Sequence, residues 1–118
     1  MFYTLPIYMY DLINAQTIFQ YFGDDDKEMI REMIQIILDT NLHDLKQLDV
    51  HYDEKDFVTI KKKCHKAKPS MSYIGAVDTR KMLEAIEADL ENSYPIYISL
   101  KQNIGVIEKE LNDFLVKL

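Results

Sequence analysis

Phe57, Ile60, Cys64, Ala67, Met71 and Ile74 follow one another at intervals of 3, 4, 3, 4 and 3 residues. On an α-helix, which turns about 100° per residue, that rhythm gathers all six into one narrow apolar seam. The closing stretch repeats the pattern with Leu100, Ile104, Ile107, Leu111, Phe114 and Leu118. Only three glycines and three prolines occur in 118 residues, so sharp turns are few and elements long. Both features favour an all-helical chain over a sandwich or barrel.

Three further helices are expected. Leu12, Ile13, Ala15, Ile18, Phe19 and Phe22 have helical spacing, which predicts a short helix from about Leu12 to Tyr21, ended by Gly23. Asp24–Asp26 supplies an N-terminal cap, with Glu28 three residues after Asp25 as a capping box. A long helix then carries Ile30, Met33, Ile34, Ile37, Leu38, Leu45 and Leu48 in one stripe, from about Asp26 to near Asp49. His51–Asp53 reads as a turn, with Asp53 capping the helix of the first seam and Gly75 ending it. Asp78 is the expected cap of a fourth helix bearing Met82, Leu83, Ile86 and Leu90, which frays near Asn92–Pro95. Short connections between helices imply antiparallel neighbours. The expected architecture is an all-α, antiparallel up-down four-helix bundle with an additional short N-terminal helix. Residues 1–118 form a single domain, in which residues 1–10, interrupted by Pro6, are an extended lead-in packed on it.

The remaining composition narrows the setting. One cysteine excludes an internal disulfide and fits a reducing compartment. The N-terminus lacks a basic region and Asp11 breaks its apolar run, so a signal peptide is not expected. No stretch approaches the length of a membrane span. The expectation is a cytoplasmic protein.

Charge is distributed unevenly. The formal net charge is -6, yet five of the fourteen basic residues (Lys61, Lys62, Lys63, Lys66 and Lys68) fall within eight positions that also contain His65. His65 lies roughly 130° from the centre of the seam, facing water or the flank of the bundle. Lys61, Lys62, Lys68, Pro69 and Ser72 share its face, since residues three or four apart are helical neighbours. Cys64 belongs to the seam and points elsewhere, so Cys64 and His65 are no catalytic dyad. An imidazole attacks phosphorus only as the neutral ring, and nearby ammonium groups disfavour the imidazolium. The same lysines stabilise an arriving phosphoryl group. The plain alternative is a solvated lysine-rich face on which His65 is incidental. A nucleic-acid binder is disfavoured by one short basic strip on an acidic chain, and His43, His51 and Cys64 lack metal-ligand spacing.

The stretch His65-Lys66-Ala67-Lys68-Pro69-Ser70-Met71-Ser72-Tyr73-Ile74-Gly75-Ala76 resembles the signature of histidine phosphotransfer (HPt) domains. His65 matches the phospho-accepting histidine, Lys68 the lysine three residues on, Ser70 the small residue, and Ile74-Gly75 the closing aliphatic-glycine pair. Phe22-Gly23-Asp24-Asp25 before a long helix is also typical, and the likeness spans roughly residues 11 to 118. Pro69 departs from the family's usual glycine. A mid-helix proline costs about 3 kcal/mol and removes the hydrogen bond to the carbonyl of His65. Because it lies almost opposite the seam, a kinked but continuous helix is expected.

The resemblance implies a phosphorelay intermediate without ATP-binding or autokinase activity. Its partners would be the receiver domain of a hybrid sensor histidine kinase and the receiver domain of a response regulator. His65 would carry the phosphoryl group on Nε2, Lys68 would steady its oxygens, and Lys61 and Lys62 would steer the anionic receiver. Pro69 and Ser72 would lie under the docked partner. No cofactor is implied, since magnesium belongs to the receiver, and neither a membrane nor a dimer is needed. A receiver-binding interaction protein with an inert His65 is the alternative.

Overall fold

The computed structural model describes residues 9–118, and these are helical without strands. Residues 1–8 of the expected lead-in lie outside the described residues. The first helix, α1, spans Ala15–Phe22 and starts later than the periodicity suggests. Asn14 caps it, its Oδ1 accepting from the Thr17 amide at 3.0 Å. Upstream, the amides of Asp11, Leu12 and Ile13 are drawn instead to the Glu110 carboxylate at 2.8, 3.0 and 3.0 Å. Those amides have a distant partner, so the chain has no need to satisfy them by starting a helix there.

The expected long second helix is broken into pieces. α2 covers Lys27–Ile36, a π-helical segment covers Ile37–Leu42, and α3 covers His43–Leu45. Asp26 caps α2 through the Met29 amide at 3.0 Å, so no capping box links Asp25 to Glu28. The cause of the π turn is legible in the buried set: Ile30, Ile34 and Ile37 are followed by Leu42, Leu45 and Leu48. A gap of five between Ile37 and Leu42 would swing Leu42 off the apolar face of an α-helix. A wider π turn absorbs the extra residue and keeps both halves of the stripe inward.

The expected turn at His51–Asp53 is itself helical: α4 spans Asp49–Asp53. Lys55, with φ at 56°, makes the actual turn. Asp56, not Asp53, caps the next helix by taking the Thr59 amide at 3.2 Å and the Thr59 hydroxyl at 2.7 Å. That helix, α5, runs Phe57–Tyr73 and continues through Pro69. It closes on Gly75 at φ 73°, where the Ala76 amide bonds the Met71 carbonyl and the Gly75 amide that of Ser72. This is the paired closure that a left-handed glycine permits. α6 follows at Val77–Ala88, with Asp78 inside its first turn and Ala76 in the cap position. A 3₁₀ turn at Leu90–Asn92 leads to α7, Tyr94–Lys117, with Pro95 at its start, where the missing amide hydrogen is harmless.

Both seams form the core. Ile60, Cys64, Ala67 and Met71 from α5, with Ile74 at its C-terminal cap, are buried with Leu100, Ile104, Ile107, Leu111 and Phe114 from α7. α5 packs on α6, α6 on α7, and the π segment on both α5 and α7. The described residues form an elongated body of 53 × 23 × 19 Å. Tyr52 packs ring to ring with Tyr94 and Tyr97, and Tyr21 and Phe22 close on Tyr73. No helix of the described residues is long and apolar enough to cross a membrane.

Candidate functional site

The outward face of α5 presents His65 with 74% of its side chain exposed. Its seam neighbour Cys64 is fully buried. Burial, and secondarily the nearby Glu87 charge, push the Cys64 thiol up to about 12, so no thiolate forms beside the imidazole.

The partner of His65 comes from α6. Nδ1 of the ring lies 3.5 Å from Oε2 of Glu87, whose side chain is only 13% exposed. The other oxygen of Glu87 is 2.8 Å from Nζ of Lys68. One covered carboxylate thus joins the two residues that the sequence pattern singles out. With the carboxylate nearest Nδ1, the tautomer protonated there keeps its lone pair on Nε2, on a ring that is mostly open to solvent.

The remaining expected residues occupy varied settings. Lys61 and Lys62 are exposed and form no ion pair among the described residues, as is also true of Lys66. Lys63 is turned aside to Asp44 at 3.3 Å. Pro69 is exposed one residue beyond Lys68. Ser72 is partly buried, and its hydroxyl accepts from the Arg80 guanidinium, which also donates to the Lys68 carbonyl at 3.2 Å. On the inner side, the Ser70 hydroxyl donates to Oδ1 of Asn41, in the π segment, at 2.6 Å. His43 is exposed beside Gln47, and His51 lies 3.6 Å from Asp56, so neither joins the site.

Glu87 and Arg80 were not anticipated. The signal is present as Arg80, Glu84 and Glu87, spaced 4 and 3, a charged stripe on the helix after the histidine helix. Set beside the lysine-rich stripe of α5, it offers ionic partners across the interface. Which members would meet depends on how the two helices lie together, and periodicity within either one leaves that open.

No protein-family model, no curated protein and no solved structure matches the chain. What the site can do chemically follows from its own geometry: an exposed imidazole with one nitrogen 3.5 Å from a carboxylate that also meets Lys68, on a helix face rich in lysine.

Proposed function

We propose that this chain is a phosphocarrier of the histidine phosphotransfer type, a cytoplasmic relay that takes a phosphoryl group onto His65 from one receiver domain and gives it to another. The observation that carries this reading is the single carboxylate of Glu87, 3.5 Å from His65 Nδ1 and 2.8 Å from Lys68 Nζ. The lone pair of Nε2 attacks the phosphorus of an aspartyl phosphate. The N–P bond forms as the P–O bond breaks, and the aspartate leaves as a carboxylate. The ring keeps its Nδ1 proton, and Glu87 offsets the positive charge that develops on it. Lys68, beside the ring, turns toward the phosphoryl oxygens, while Lys61 and Lys62 attract the acidic partner. Attack by the second receiver's carboxylate reverses each step and returns the neutral ring.

An antiparallel four-helix arrangement, with α1 as the extra element, supports the reading because it leaves one helix face free for docking. Cross-helix pairs are in keeping with it. Ser72 meets Arg80 while Lys68 meets Glu87, and Arg31 reaches Leu115 while Lys46 reaches Glu108. In each case one partner's number rises as the other's falls.

The test is incubation with a phosphorylated receiver domain, followed by assay for acid-labile, base-stable label. Wild-type protein should acquire it and His65→Gln should not. Label that survives in the variant overturns the assignment. Binding of the receiver without any label would favour an inert interaction protein.

A further inference from the structure

Pro69 leaves the helix short of a restraint at the point where the site needs precision. Lacking an amide hydrogen, it cannot bond the His65 carbonyl, so the turn from His65 to Pro69 has no hydrogen bond closing it from within. The residues on either side of Pro69 are gripped from outside. Arg80 on α6 donates from one nitrogen to the Lys68 carbonyl at 3.2 Å and to the Ser72 hydroxyl. Its Nε lies 3.6 Å from Glu84, one turn along α6, which orients the guanidinium. A planar guanidinium is suited to such a task because its donors are fixed relative to one another. On the opposite flank, Asn41 accepts from Ser70 at 2.6 Å.

We infer that Arg80 is a positioning residue that braces the proline-containing turn of α5 from the neighbouring helix and so fixes Lys68 relative to His65. The function of the bracing rests on the phosphocarrier reading; the bracing itself does not. Arg80 touches neither reacting atom. It acts on the backbone of Lys68, whose ammonium group is 2.8 Å from the Glu87 carboxylate that also faces the ring. The brace answers to Pro69: a residue at 69 with an amide hydrogen would restore the internal bond and make Arg80 dispensable.

The test is a double-mutant cycle of Arg80→Gln and Pro69→Ala with two readouts. One is amide hydrogen exchange over Ser70–Tyr73, which needs no phosphate chemistry. The other is the rate at which a small phosphoramidate labels His65. In the wild-type background, Arg80→Gln should speed exchange at these amides about tenfold and slow labelling roughly three- to tenfold. In the Pro69→Ala background, both effects should fall below twofold. Equal exchange effects in the two backgrounds, or none in either, overturn the bracing. Failure of wild-type protein to label at His65, with the exchange cycle as expected, counts against the phosphocarrier reading and leaves the brace standing.

Discussion

Lys68 and Glu87 meet at 2.8 Å across the α5–α6 interface, with only 18% and 13% of their side chains exposed. The contact is sheltered enough to orient both groups, and it places the carboxylate where the exposed His65 ring can share it. Glu87→Gln keeps the shape but removes the charge. On the phosphocarrier reading, phosphoryl transfer to His65 should slow about tenfold, close to 1.4 kcal/mol of barrier, with the melt little changed. Unaltered transfer kinetics would show that Glu87 has no part in orienting the ring.

Tyr97 is fully buried, and its hydroxyl donates to the Leu45 carbonyl at 2.8 Å and accepts from the Leu48 amide at 3.0 Å. It therefore satisfies the backbone where α3 gives way to the turn before α4. Tyr97→Phe strands both groups, which should cost about 1–3 kcal/mol. Urea unfolding should register it as a lower midpoint at unchanged slope.

Gly75 holds φ at 73°, and a Cβ there would sit 2.6 Å from the Cβ of Asn14. The Asn14 amide bonds the Ile74 carbonyl at 2.9 Å, so this glycine is where α1 docks on the end of α5. Gly75→Ala should destabilise by at least about 2 kcal/mol, from backbone strain and the clash together. An unchanged thermal melt would mean that α1 does not rest there.

Asp113 should mark the acid limb of stability. Lys117 first, and the Tyr10 hydroxyl second, hold its carboxyl below the usual carboxylate range. A group depressed in the folded state contributes stability that is complete above its unfolded value of about 3.9 and is lost as pH falls through the folded value. Asp113→Asn should therefore lose less stability than wild type between pH 5 and the acid side of that window, as read from urea midpoints at each pH. Parallel curves for the two proteins would remove Asp113 from the acid response.

Cys64 provides a probe of opening between α5 and its neighbours. Burial pushes the thiol up to about 12, which keeps it protonated at pH 8, and the side chain is fully buried. Iodoacetamide should leave the folded protein unmodified over hours and label it promptly in denaturant. Fast native labelling would reveal local opening of α5.

The long seams were legible because they are local. Intervals of three and four between Ile60 and Ile74, and between Leu100 and Phe114, require only that each stretch be helical and one face be covered. The π turn is not legible in the periodicity, since Leu42 has no place in an α-helical stripe yet is fully buried. Cap positions are less legible: Asp56 takes the cap that Asp53 also offers, and the helix of Asp78 has Ala76 in its cap position, with no side-chain cap at all.

His65 turns outward because it follows Cys64 on a helix whose seam is buried; that much is periodicity, and the sequence alone determined it. The tertiary structure decided that Glu87 lies beside His65 and Lys68, and that Arg80 grips the turn around Pro69. Side-chain spacing along one helix sets which way each residue faces. Only the mutual placement of two helices brings a carboxylate or a guanidinium from one within bonding distance of the other.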